Sequence, residues 1–216
     1  MIAKEFTNYI FKNNIIRFGE FRLKSGRLSP YFFNFGAFNS ASKLSSLGEF
    51  YASTIIEKKI DFDVIFGPAY KGIPIALSTA LSLNKKDYPD VPFSFNRKEI
   101  KQYGEGGQII GSKIKGKRVL AVDDVLTSGK TIRNTKEIIE SEGGILYAFL
   151  VALDREEKGL NTELSALEEA ARECNVKIYS VANISNIIEY LNENYDKNHK
   201  FNKSVREYIE IHGSKK

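Results

Sequence analysis

The chain has 216 residues, 42% of them hydrophobic and 27% charged, enough material and the right balance for one globular domain with a substantial core. No stretch approaches the roughly 18 consecutive apolar residues that cross a bilayer. The opening Met1-Ile2-Ala3-Lys4-Glu5-Phe6 sets an acid where a secretory leader would be apolar, and the net charge of +5 is not gathered into one basic tract. A cytoplasmic protein that takes small anions, with neither a membrane nor a nucleic acid as partner, is therefore expected.

Residues 2–18 place Ile2, Phe6, Tyr9, Ile10, Ile15 and Ile16 at close to helical spacing. Phe21-Arg22-Leu23-Lys24 then alternates, Ser25-Gly26-Arg27 supplies a turn, and Tyr31-Phe32-Phe33-Asn34-Phe35 resumes an aromatic run, the pattern of a hairpin or two short strands. A helix is predicted over 45–59, with Lys58 and Lys59 at the end where cations suit the dipole. From residue 63 the rhythm strengthens. Strands are predicted at 64–66, 92–95, 119–122, 145–153 and 176–181, and helices at 73–83, 131–142, 163–174 and 184–192. Continuously apolar strands alternating with amphipathic helices imply an α/β fold with a parallel sheet covered on both faces. The polar residues 194–216 form a terminal helix or a loose tail.

Two absences narrow the chemistry. Cys174 has no second cysteine to pair with and no histidine motif beside it, which suits an inert thiol. His199 and His212 both fall in the polar C-terminal stretch, so the body offers no histidine-based zinc site or catalytic triad. In α/β sheets ligands bind beyond the C-terminal strand ends. The loops 67–72, 123–130 and the one after Leu153 fall there together.

The segment Val119-Leu120-Ala121-Val122-Asp123-Asp124-Val125-Leu126-Thr127-Ser128-Gly129-Lys130-Thr131 carries the strongest signal. A buried strand delivers two carboxylates, and a hydroxyl-rich turn then opens a helix whose N-terminus favours a phosphate. Carboxylates repel phosphate but accept hydrogen bonds from sugar hydroxyls and hold hydrated Mg²⁺. A Walker A loop is rejected, because Asp124 stands where that pattern needs its first glycine. The plainer alternative is a helix start capped by Thr127 or Ser128, which would need neither the paired acids nor the glycine.

This segment resembles the signature of type I phosphoribosyltransferases for 5-phosphoribosyl 1-diphosphate (PRPP). The resemblance implies a parallel-sheet core with helices on both faces and a small N-terminal hood, residues 1–216 forming a single domain with the hood at about 1–40 and a mobile lid at about 97–110. It also implies that Asp123 and Asp124 face the ribose hydroxyls, that Thr127, Ser128, Gly129, Lys130 and Thr131 wrap the 5-phosphate, and that Val125 and Leu126 between them also contact PRPP.

Three further segments resemble the orotate-specific members. Leu23-Lys24-Ser25-Gly26-Arg27-Leu28-Ser29-Pro30-Tyr31-Phe32-Phe33-Asn34 is similar to their hood, which implies that Phe32 and Phe33 line the orotate pocket and that Lys24 reaches the substrates. Taken alone, the two rings suit a core as well as a ligand. Phe66-Gly67-Pro68-Ala69-Tyr70-Lys71-Gly72 resembles the pyrophosphate loop, with Tyr70 and Lys71 as PRPP contacts, beside the plainer strand-to-helix turn. Arg97-Lys98-Glu99-Ile100-Lys101-Gln102-Tyr103-Gly104-Glu105-Gly106-Gly107 resembles the catalytic lid: three cations among glycines, able to close over a leaving pyrophosphate, where the plainer reading is a solvated hairpin. Lys101 would be the main catalytic cation beside Lys71, Asp123 and Asp124, and Arg97, Lys98 and Tyr103 would contact PRPP. Tyr103 departs from the family's histidine; it donates a hydrogen bond but carries no positive charge.

Asp154-Arg155-Glu156 follows a strand end, where Arg155 could grip the orotate carboxylate with both arms of its fork or lie in a surface ion pair; the resemblance favours the former, along with Thr127. The family further implies Mg²⁺ as cofactor, bound mainly through PRPP with no direct protein ligand and water bridges to Asp123 or Asp124. A homodimer with lid residues shared across its interface is implied as well. The expected reaction joins orotate to ribose 5-phosphate in pyrimidine (UMP) biosynthesis. A purine phosphoribosyltransferase shares the signature at 119–131 but neither the Lys24–Asn34 segment nor Arg155. A nucleic-acid-binding regulator on the same fold, permitted by the pI near 9.1, has no reason to keep Lys101 in an intact lid, and no appended DNA-binding helix pair is evident. The length leaves no room for a fusion with the next pathway enzyme.

Overall fold

The computed structural model describes residues 1–214 except 24, 87, 89, 102–106, 126–128, 160–162 and 197, with the backbone alone at 100, 101 and 107. Helix α1 (Ile2–Lys12) buries Phe6, Thr7 and Ile10 on one face. It ends sooner than the spacing predicts. Asn14 turns the chain through a left-handed φ of 53°, and Ile16 begins a strand instead of a further helical turn. Strands β1 (Ile16–Arg22) and β2 (Leu28–Phe33) then pair antiparallel as the expected hairpin.

Helix α2 (Ala41–Glu57) starts four residues ahead of the predicted boundary because Ser40 caps it, its hydroxyl accepting the Lys43 N–H. The sheet begins with β3 (Val64–Gly67), α3 (Gly72–Asn84), β4 (Phe93–Lys101) and β5 (Gly107–Gly111). Next come β6 (Arg118–Val125), α4 (Lys130–Ser141), β7 (Ile145–Asp154) and α5 (Ala166–Cys174). Strand β8 (Lys177–Asn183), α6 (Ile184–Asn194) and α7 (Lys200–His212) complete the chain. The order across the sheet is β5-β4-β3-β6-β7-β8, parallel throughout except for the antiparallel β4–β5 edge.

The strands are apolar without alternation because helices cover both faces. Ile65, Leu120, Val122, Ala148 and Leu150 face Tyr51, Ile55, Ile75, Leu83 and Ile187, from α2, α3 and α6. Their neighbours Val64, Phe66, Val119, Ala121, Phe149 and Val151 face Ile132, Ile139, Leu167 and Cys174, from α4 and α5. Cys174 is thus a core thiol, and burial raises its pKa further from any nucleophilic role.

In two segments the structure decides between readings the sequence left open. The basic stretch 97–107 begins as strand: β4 runs on to Lys101, beyond the predicted 92–95, and pairs antiparallel with β5 as the plainer hairpin reading had it. Of the two readings of the polar C-terminal stretch, the terminal helix holds over 200–212. Helix α7 buries Asn202, Val205 and Tyr208, and beyond it the Ser214 N–H donates to the Glu156 carbonyl oxygen.

Candidate active site

The strand order places a crevice before any side chain is considered. From β3 the chain moves outward to β4 and β5, then returns to the other side of β3 as β6, so the loops after β3 and β6 diverge at the switch point between them. These are the loop 67–72 and the acidic strand end.

The first loop is wound tightly upon β6. A Cβ on Gly67 would stand 2.3 Å from the Gly72 carbonyl oxygen, and one on Gly72 would stand 2.7 Å from the Val122 carbonyl oxygen. These glycines serve the chain's own close packing, beyond any approach to a ligand. The Asn96 side chain of β4 fastens the loop from the other side, its Oδ1 accepting the Ala69 N–H at 2.8 Å. The Ala69–Tyr70 peptide is cis.

The winding brings Lys71 over the end of β6. Its Nζ lies 2.6 Å from Asp124 Oδ2, with the carboxylate buried and the lysine half exposed. The same ammonium lies 5.8 Å from the centre of the Phe35 ring, which ties the hood to the loop. Asp123 accepts the Asp124 N–H at 2.9 Å. Burial, then the charge of Asp124, raises the Asp123 carboxyl from its ordinary 3.8 to about 7, against the opposing pull of Lys71. Beneath the pair, the buried Tyr51 hydroxyl donates to the Asp123 carbonyl oxygen at 2.6 Å and holds the strand end in place.

Val125, the last residue of β6, pairs with Leu153 of β7, so Arg155 follows just beyond the neighbouring strand. It is neither exposed nor in a surface ion pair. The guanidinium is buried, donating from Nε to Glu157 Oε1 and from Nη2 to Ser29 Oγ, both at 2.8 Å. It also lies 4.1 Å from the Tyr31 ring centre.

Phe32 and Phe33 do not share a face. Successive residues of β2 point to opposite sides: Phe33 enters the core against Phe6 and Phe38, while Phe32 stays partly exposed, stacked on Phe21 at 5.3 Å. On β4, the Lys98 ammonium rests 4.3 Å from the centre of the exposed Tyr70 ring, joining that strand to the loop after β3. Arg97 precedes it on the same strand. Gly129 caps α4, and Lys130 and Thr131 fill its first turn. Lys24, Tyr103, Leu126, Thr127 and Ser128 lie outside the described residues, as does the Lys101 side chain.

Sequence reasoning missed Phe35, Tyr51, Asn96, Ser29, Glu157 and Tyr208. Each acts on a partner far along the chain, 51 residues away for Tyr208 and Glu157 and 72 for Tyr51 and Asp123, where no local pattern reaches.

The comparisons with known proteins agree with this geometry. The phosphoribosyl transferase domain family matches residues 37–168. The chain is 50% identical to the orotate phosphoribosyltransferase of Shewanella oneidensis over 190 residues, 88% of this chain and 87% of that one. It is 47% identical to that of Shigella sonnei, over 88% of each. The crystal structure of the Francisella tularensis orotate phosphoribosyltransferase superposes with a TM-score of 0.85 at 35% identity, covering 97% of this chain and all of the other. With its crevice at the β3–β6 switch point and relatives of this closeness along most of its length, the chain belongs to the orotate phosphoribosyltransferase family.

Proposed function

We propose that the protein transfers the 5-phosphoribosyl group of PRPP to orotate, giving orotidine 5′-phosphate and pyrophosphate, as a step of pyrimidine biosynthesis. The observation that carries this reading is the meeting of Lys71 and Asp124 at 2.6 Å, which joins the loop after β3 to the acidic end of β6. A cation for a departing pyrophosphate and carboxylates for the ribose hydroxyls thereby stand side by side. The helix start at 130 supplies N–H groups for the 5-phosphate.

The nucleophile is the ring nitrogen of orotate, so the chain itself need supply none, and the proton that this nitrogen carries is released to pyrophosphate or water as the C–N bond forms. The bond from the anomeric carbon to the pyrophosphate oxygen breaks ahead of the new C–N bond, both of its electrons leaving with pyrophosphate. Lys71, together with Arg97, Lys98 and Lys101 of the lid, offsets the charge that gathers there. Arg155 meets the orotate carboxylate, and Asp123 and Asp124 orient the ribose.

Among the described residues no three His, Cys, Asp or Glu side chains converge as a metal cage. Two carboxylates, one already held by a lysine, suit a hydrated Mg²⁺ that arrives on PRPP and is met through water. Such an ion would neutralise pyrophosphate oxygens. The family assignment supports a cytoplasmic homodimer whose lid residues are shared between subunits. No described helix is long and apolar enough to cross a membrane.

The test is orotate consumption followed by ultraviolet absorbance with PRPP and Mg²⁺, beside Lys101→Ala. Turnover that needs both additions and falls by about a hundredfold or more in the variant is expected. Turnover of a purine base in place of orotate would overturn the substrate, and silence with every base would overturn the activity.

A further inference from the structure

The mechanism gives Arg155 a role but leaves unexplained why it is buried against Glu157 beyond β7. Arg155 and Glu157 are 3% and 7% exposed, and burying two charges is costly unless their geometry is tightly held. It is held here from three directions. Glu157 Oε1 takes the Arg155 Nε and Nη2 at 2.8 and 2.7 Å, and the same oxygen accepts the Tyr208 hydroxyl of α7 at 3.0 Å. Glu157 Oε2 faces Arg27 Nη1 at 3.4 Å, and Arg27 also donates to the carbonyl oxygens of Lys158 and Gly159. Ser29 Oγ, which itself donates to the Tyr31 carbonyl oxygen at 2.7 Å, accepts from Arg155 Nη2.

Two features distinguish this from an ordinary structural ion pair. The bonds occupy only the Nε–Nη2 edge of the guanidinium, and among the described residues Nη1 has no partner. Two guanidinium groups, Arg27 and Arg155, are set against the single carboxylate of Glu157, which leaves positive charge for an acidic ligand to balance. Burial, followed by the charge of Glu157, raises Tyr208 to about 12, so its hydroxyl remains a donor at neutral pH.

We infer that Glu157 and Tyr208 are positioning residues: they fix one edge of Arg155 so that its remaining arm meets the carboxylate of the base, which makes α7 part of the substrate-selecting apparatus. This rests on the proposed orotate reaction and adds to it the elements that set the choice of base. Removing either partner releases the fork to other rotamers and weakens capture of the base, without touching the ribose, 5-phosphate or pyrophosphate positions at the β3–β6 crevice.

The experiment compares the full-length wild type with Tyr208→Phe, Glu157→Gln and Glu157→Asp, measuring KM for orotate and for PRPP separately alongside thermal melting. Tyr208→Phe keeps the ring that packs on Tyr31 and His212 and deletes only the hydroxyl. It should raise KM for orotate about fivefold and leave KM for PRPP within about twofold, the size of effect expected for a lost bond to a charged group. Glu157→Gln should raise KM for orotate at least about tenfold, with Glu157→Asp recovering part of the loss. Equal movement of both KM values, or no movement in a folded Tyr208→Phe, overturns the positioning role. A wild type that does not turn over orotate fails the reaction itself, whatever the variants do.

Discussion

Replacing Gly72 by alanine asks a single methyl group to occupy space already filled by the chain. The new Cβ would lie 2.6 Å from Pro68 Cδ, 2.7 Å from the Val122 carbonyl oxygen and 2.9 Å from the Gly67 carbonyl carbon. Carbon contacts are comfortable near 3.5–4.0 Å, so the loop must move off β6 by roughly 1 Å. None of the three neighbours is the end of a flexible side chain, so the strain cannot be relieved by rotation. Overpacking of this kind costs about 2 kcal/mol, which lowers Tm by about 4–8 °C in a chain of this length. The functional cost should be larger. Gly72 directly follows Lys71, so the same displacement pulls its ammonium from Asp124, and a misplacement of about 1 Å can cost about a hundredfold in rate. Calorimetry and kcat/KM for PRPP on the one variant read both effects. A Gly72→Ala protein that melts within about 1 °C of wild type and keeps its kcat/KM would refute the tight winding of this loop and the role given to it.

Asp123→Asn should change how stability depends on pH. With the native carboxyl raised to about 7 from 3.8, the folded state holds a proton that the unfolded chain has released, so this group's contribution falls as pH rises from about 4 to 7. The variant should therefore show a flatter Tm-versus-pH curve between pH 5 and 8, with a difference of about 2–4 kcal/mol across the full window, and identical slopes would count against the raised value. Tyr51→Phe removes the hydroxyl under Asp123 and leaves a buried carbonyl short of a donor, so a loss of about 1–2 kcal/mol in denaturant unfolding is expected. An unchanged midpoint would show that the bond contributes nothing. Tyr103→His introduces a group that titrates near pH 6.5, so kcat/KM should gain below pH 6 relative to wild type; superimposable pH profiles would remove this position from the lid's chemistry.

The central sheet was legible because each strand is buried on both faces, and Val64-Ile65-Phe66 and Val119-Leu120-Ala121-Val122 state that burial outright. The acid pair and the helix after it were legible for a different reason: their chemistry is contiguous in the chain. What escaped notice depends on distant partners. Strand β5 (Gly107–Gly111) offers only two apolar residues, Ile109 and Ile110, too short a run to read as a strand without β4 to pair with it. Helix α7 looked polar because only one face, with Val205 and Tyr208, meets the body. Ile15 and Ile16 matched a helical spacing, but the left-handed Asn14 breaks the helix before them and Ile16 opens β1. The burial of Arg155 was invisible for the same reason, as its partner Ser29 is 126 residues away.

The β4–β5 hairpin also bears on how this enzyme can change. Residues 97–110 are encoded between the β3 and β6 loops, and both flanks are fixed in the sheet, with Ser94 paired to Gly111 and Asn96 to Ile109. In sequence, residues 102–106 lie between these paired strands, and the β3 and β6 loops follow other strands of the sheet. Exchanging residues 102–106 for those of another family member should therefore leave the crevice floor undisturbed while altering the PRPP contact expected of Tyr103.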